Sequence, residues 1–395
     1  MGMSEAVRRR SGVLLLALFI GGLFSCGWKW VEVRRYKSAM AEIEEDIESG
    51  RHGTAARKLT ALVAGQPDSD EAHYLLGTCE MARGKTQAAD AAWARVRRGS
   101  HFAPSAILGS MQVQMELGRF SAAEKIIKDA LDDPRVDGSS LPILLAPVYC
   151  HQGRLDETLQ LIETRWDALN RVGEGATEPA INLIRAHIDL RRSPIPIEVT
   201  RAVLDEAAKR APDDDRVWLG KANLAMSVGS YDEAARWLDD CLRRRPDDEP
   251  VWRARLEWAV KTNRVAAAEQ AVKHLPTDQS TPAQIHKLAA WKAKNRGDDE
   301  SERHALELLI DINPANLEAL DRLVELAAKH EQSERAAELR RQRSEIEKLE
   351  ARYLKLFERN QPKRDAAEMA HLAKRIGRRF EARAFQIVAD AVVGY

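Results

Sequence analysis

The chain has 395 residues and carries 61 Lys+Arg against 61 Asp+Glu, so its formal net charge is zero. Hydrophobic residues at 44% and charged residues at 31% exclude wholesale disorder, and the neutral total removes the basic excess on which nucleic-acid binders usually rest. Length alone suggests two or three globular domains, but 22 Gly and 15 Pro are too few for a sandwich or barrel that turns every ten residues or so. The four cysteines, Cys26, Cys79, Cys150 and Cys241, form no CxxC pair, which argues against a zinc ribbon, a dithiol redox site or a dense disulfide framework.

Residues 1–12 form a basic tail containing Arg8, Arg9 and Arg10. Residues 11–28 carry no charge, and Trp28 and Trp30 suit a membrane interface, so 13–31 reads as a transmembrane anchor or signal segment. Three processing outcomes fit it: an uncleaved anchor, which its length favours; a cleaved secretion signal; and a lipoprotein signal. In the last, Leu23-Phe24-Ser25-Cys26 resembles a lipobox and Cys26 carries the lipid. The two signal readings export the body, and a short basic tail is easily retained inside. The expectation is therefore a body on the exported side of the membrane.

From Tyr36 onward the chain repeats. Gly50, Gly84 and Gly118 are 34 residues apart and Gly153 follows at 35; Gly229, Asn263 and Gly297 resume the 34-residue step. Alanine stands five residues after most of these, at Ala55, Ala89, Ala123, Ala234 and Ala268, and Pro67, Pro212, Pro246 and Pro314 close units. Glycine supplies the positive φ that ends a first helix, alanine lets the second helix approach it closely, and proline stops the second. An acidic residue then caps the next helix, as in Pro246-Asp247-Asp248-Glu249. A single hairpin cannot bury its apolar face, so consecutive hairpins must stack.

With Trp218, Gly229, Tyr231, Ala234, Leu238 and Pro246 in one unit, and Tyr74, Gly77, Gly84, Ala89 and Trp93 in another, the sequence resembles the tetratricopeptide repeat family. The resemblance implies an all-α fold, a right-handed superhelical solenoid of helix hairpins. Units one to four fall in 36–173, a linker in 174–180, units five to nine in 181–350, and capping helices in 351–395. Gly173 to Pro179 breaks the register, and Ser193-Pro194-Ile195-Pro196 replaces the glycine turn of the fifth unit, which predicts a joint between two stacks. Pro147 is expected to kink a helix, and the charged run 340–350 reads as a solvated helix.

No catalytic constellation emerges. Gly84-Lys85-Thr86 has Cys79 where a phosphate-binding loop needs glycine, and the ten histidines contain no HExxH. The expectation is a protein without enzymatic activity, metal or cofactor. Charge splits along the chain: 1–37 and 334–395 are each +5, leaving −10 in 38–333. The basic start fits anionic lipid headgroups, and the basic end is explained by a solvated helix face better than by nucleic acid.

In the resembled family the first helix of each unit faces the ligand. The matching positions are Arg216, Leu219 and Asn223; Arg253, Glu257 and Lys261; and Lys287, Trp291 and Lys294. An aromatic between cations suits a protein or peptide partner. The family's carboxylate clamp is not reproduced, because Asn223 lacks a lysine four residues earlier. The function implied is a membrane-tethered scaffold binding a protein through its concave groove. The alternative is an assembly factor or structural subunit of a cell-envelope complex, acting through its convex face or C-terminal helices.

Overall fold

The computed structural model describes residues 34–136, 141–192, 195–276 and 280–393. The tail 1–12 and the segment 13–31 with Cys26 lie outside the described residues. Among those described, no helix is long and apolar enough to cross a membrane, and no strand occurs. The chain forms two compact units, 34–113 with 128–136 and 114–127 with 141–393.

The first unit contains α1 (34–48), α2 (His52–Gly65), α3 (Asp70–Ala82) and α4 (Thr86–Trp93). α5 (Ala103–Glu116) and α6 (Phe120–Leu131) straddle the boundary. α2 packs on α3 and α3 on α4. Trp93 shows why the repeat favours small residues: a Cβ on Gly77 would collide with its indole, and one on Gly109 would come within 2.8 Å of the ring. The indole is thus enclosed between α3 and α5, and its N–H donates to the Tyr74 carbonyl at 3.1 Å.

The second unit begins with a 3-10 turn (Pro142–Leu145), α7 (Ala146–His151), α8 (Leu155–Arg171), α9 (Glu178–Arg192) and α10 (Ile197–Arg210). It continues through α11 (Asp215–Ser227), α12 (Tyr231–Arg244), α13 (Glu249–Lys261), α14 (Val265–Lys273), α15 (Pro282–Arg296) and α16 (Asp299–Ile312). α17 (Leu317–Lys329), α18 (Ser333–Arg359), α19 (Pro362–Arg375) and α20 (Arg379–Val393) complete it.

The turn glycines Gly50, Gly84, Gly118, Gly153, Gly229 and Gly297 have φ between +69° and +79°, and Asn263 takes the same left-handed conformation at +56°. Glu331, one step after Gly297, does so as well at +58°, so the turn persists where its glycine has been replaced. The five offset alanines are fully buried. Pro147 kinks nothing: it lies in the first turn of α7, after the 3-10 segment, where its absent N–H has no intrahelical partner to lose.

Sequence neighbours are not always spatial neighbours here. α9 packs back on α8, while α10 packs on α7 and α11. α8 also packs on α7 and on the 3-10 turn, so the α8–α9 hairpin stays joined to α7 through α8 and places α9 outside the α7–α10–α11 series. Its apolar face, with Trp166, Ile181, Ile184 and Ile188, joins a core made with Tyr353, Phe357, Met369, Phe380 and Phe385 of α18–α20. The run 340–350 lies within 27-residue α18 and is solvated on one side only, because Leu339, Ile346 and Tyr353 recur every seven residues along a buried edge. The insertion 173–179 makes the α8–α9 turn and lies inside the second unit.

Candidate partner-binding surface

The nine family-matched residues fall on α11, α13 and α15, in three different environments. On α11, Arg216 and Leu219 are enclosed, at 4% and 0% exposure, which takes both away from any ligand. Asn223 is half-buried and donates to the Gln152 carbonyl at 2.6 Å. The turn after α7 sits against this helix so closely that a Cβ on Gly220 would meet the His151 carbonyl at 2.9 Å. The positions that the resemblance assigns to a ligand are covered on α11 by the chain itself.

Arg216 belongs to a buried charge network. Its Nε lies 2.7 Å from Glu124, which also holds Arg154 at 3.1 Å, and its outer nitrogen lies 2.9 Å from Asp248. Burial works against both guanidinium charges, yet carboxylates raise both pKa values: Glu124 and Asp248 for Arg216, Glu157 and Glu124 for Arg154. Arg154 also stacks 3.6 Å over Tyr149, whose hydroxyl burial pushes up to about 12. Asp248 is the N-cap residue of α13 but caps nothing through its side chain, since the carboxylate is committed to Arg216. Asp214 does cap α11, accepting from the Arg216 and Val217 N–H groups, and also accepts from Ser121 Oγ at 2.6 Å. Nothing local in the sequence pairs Glu124 with Arg216, 92 residues away.

α13 and α15 present the remaining six. Arg253 pairs with Glu249 at 2.6 Å, and Lys261 with Glu257 at 3.3 Å, both one helical turn apart. Trp291 is half-buried against the core that contains Trp258, Ala259 and Ala268, so it packs between helices and remains partly exposed. Lys287 and Lys294, four residues before and three after it, share its face of α15, are exposed, and have no ion-pair partner among the described residues. The structure thus leaves a half-buried tryptophan flanked by two ammonium groups with no ion pair among the described residues.

Other chemistry is sparse. No group of three His, Cys, Asp or Glu among the described residues is placed to hold a metal ion. Cys79 and Cys241 are buried, Cys150 is half-buried, and none is in a disulfide. Burial, reinforced by Asp215, pushes the Cys241 thiol up to about 12. A concavity of about 550 Å³ at the α1–α2 turn is lined by Arg51, His52, Arg57 and Arg83, but Arg51 is neutralised by Asp46 and Arg83 by Glu80.

The fold and turn register define an all-helical protein built from stacked hairpins. Comparison with known families agrees: residues 200–256 match a tetratricopeptide repeat, and residues 11–101 match a bacterial transcriptional activator domain. Among solved structures the chain is similar to a tetratricopeptide repeat protein from Parabacteroides merdae, at 16% identity over 74% of this chain and 98% of that one, TM-score 0.28. It is also similar to the APC/C hetero-tetramer Cut9-Hcn1 (10% identity, 88% and 86% covered, TM-score 0.34) and to yeast Tom70 (12%, 91% and 96%, TM-score 0.29). A search of curated protein sequences returns no match.

Proposed function

We propose that this protein is a membrane-tethered scaffold that binds a protein partner on the α13–α15 face and holds it beside the bilayer, with the body on the exported side. Folds of this kind generally serve protein–protein interaction, and the uncharged stretch 11–28 supports the tether. The observation that carries the partner reading is the trio Lys287, Trp291 and Lys294: two exposed cations, without an ion pair among the described residues, on either side of a half-buried tryptophan, suited to an acidic or aromatic peptide segment. Arg253, Glu257 and Lys261 extend the face; Arg216 and Leu219 do not belong to it.

A photo-crosslinking residue at position 287 in the membrane-embedded chain tests the assignment. It should yield a discrete adduct that weakens when Trp291 and Lys294 are replaced by alanine, and an adduct that survives those changes sinks it. Intact mass of the protein extracted from membranes separates the anchor, cleaved-signal and Cys26-lipid readings, because each predicts a different mass.

A second reading, an assembly factor or structural subunit docking through the C-terminal helices, is favoured by Arg341, Lys348 and Lys355. These stand seven residues apart on α18, away from the Leu339–Ile346–Tyr353 edge, and no ion pair holds them among the described residues. Replacing all three by glutamate should abolish assembly and leave the 287 adduct intact if this reading is correct.

A further inference from the structure

The α8–α9 hairpin and the C-terminal helices are far apart in sequence, and they meet around one buried histidine. His187 of α9 is 5% exposed. Its Nε2 lies 3.2 Å from Glu163 of α8, and its Nδ1 lies 3.3 Å from Glu381 of α20. A neutral imidazole has one N–H and one lone pair, so it would turn the lone pair toward one of these carboxylates; the imidazolium satisfies both.

The other groups facing this centre come from every element packed on it. Arg191 of α9 reaches Glu381 at 3.1 Å, the Tyr353 hydroxyl of α18 donates to it at 2.5 Å, and Arg378 before α20 lies 3.8 Å away. Arg383 of α20 pairs with Asp167 of α8 at 2.9 Å. The Phe380 ring, 4.6 Å from the imidazole, and Trp166, edge-on to Phe380, cover the imidazole, while the Glu163 side chain stays 40% exposed at the rim.

We propose that docking of the α8–α9 hairpin on α18–α20 is a conformational latch set by the protonation of His187. The hairpin is bounded by two turns, Gly153 with positive φ before α8 and Pro196 before α10; α8 stays packed on α7, while α9 packs on α8 and α20. Opening would uncover Trp166, Ile184 and Ile188 on the hairpin and Phe380, Phe385 and Val388 on α20, and the separate core of α11–α14 shares none of these residues.

The titration has a definite direction. Burial alone would lower the His187 pKa, but Glu163 and Glu381 outweigh it and hold the value above the ordinary figure of about 6.5. The stabilisation from charged His187 is thus complete below about pH 6.5 and is lost as pH rises through the raised folded value. Burial alone would raise the Glu381 pKa, while His187, Arg191, Arg378 and Tyr353 hold it below the usual carboxylate range, so its contribution is lost only in acid. The latch is tightest between these limits and loosens toward alkaline pH.

Hydrogen exchange of the full-length chain at pH 6 and pH 8, corrected for intrinsic rates, tests this. Protection of 178–192 and 379–393 should fall about tenfold or more at the higher pH, with 215–227 unchanged. His187→Gln should remove the step, and Glu163→Gln should move it to lower pH while leaving one carboxylate in place. A wild-type chain with no differential change overturns the proposal, as does a step that persists in His187→Gln. If His187→Gln does not fold, an unmoved step in Glu163→Gln overturns it instead. Because no partner enters the experiment, its outcome is independent of the binding-face assignment.

Discussion

Arg191 and Glu381, 190 residues apart in the chain, meet at 3.1 Å, with the Glu381 side chain 1% exposed. A carboxylate this deeply enclosed persists only because several donors converge on it. Here His187 and Arg191 of α9 and the Tyr353 hydroxyl of α18 converge on it, with the Arg378 charge 3.8 Å away. The pair therefore ties the C-terminal helices to the α8–α9 hairpin, and it makes α18–α20 part of a core with that hairpin.

Removing that carboxylate should be severe. Glu381→Ala leaves His187, Arg191 and the Tyr353 hydroxyl without their shared acceptor, and a loss of about 3–5 kcal/mol is expected. Tyr353→Phe removes one hydroxyl from the same site and should cost about 1–2 kcal/mol. Urea unfolding followed by circular dichroism provides the comparison; equal midpoints for the two variants would show that Glu381 is not the hub.

The network at Glu124 should behave similarly within the α6–α11 contact. Glu124→Ala takes one carboxylate from Arg154 and one from Arg216, both about 5% exposed at the side chain, but leaves Glu157 on the first and Asp248 on the second, and should cost about 1–3 kcal/mol. Lys261→Ala, which removes an exposed pair one turn apart, should change stability by less than about 1 kcal/mol. Thermal unfolding of the two variants in parallel checks the contrast.

Gly77→Ala should destabilise the first unit, because the new methyl collides with the Trp93 indole between α3 and α5. A cost of about 1–3 kcal/mol is expected from overpacking, with a changed environment for the Trp93 N–H. Gly65→Ala, with open space at its Cβ, should be tolerated. The Trp93 indole N–H resonance and the urea midpoint report the two effects together.

The thiols should separate by burial. In a Cys26→Ser background at pH 8, Cys150 should react first with a disulfide reagent, while Cys79 and Cys241 react only as the chain opens. A Cys241 that labels as fast as Cys150 would contradict the enclosure of α11 and α12.

The groove assignment shows where sequence reasoning stopped. Lys287, Trp291 and Lys294 were legible because a 3.6-residue period puts them on one face wherever α15 sits. Arg216 and Leu219 satisfy the same spacing, yet they are buried, because Glu124 of α6 and Asp248 enclose Arg216 while Leu219 packs in the core that α11 makes with α12–α14. Which helix fills that space is a long-range outcome that spacing along one helix does not encode.

By itself, the sequence determined the hairpin and its turns. The 34-residue recurrence of Gly50, Gly84 and Gly118, with the alanine offset behind it, reflects backbone sterics and close helix approach, which act locally and leave their residues in plain order. Neutral overall charge, split into an acidic middle and basic ends, was also legible, and nothing in the fold alters it. Only the tertiary structure decided that α9 packs on α8 and α20, that α10 packs on α7 and α11, and that Glu124, His187 and Glu381 become buried charge centres. The physical reason is that an amphipathic face specifies burial without specifying its partner. That choice is made by shape and charge matching between segments up to 190 residues apart.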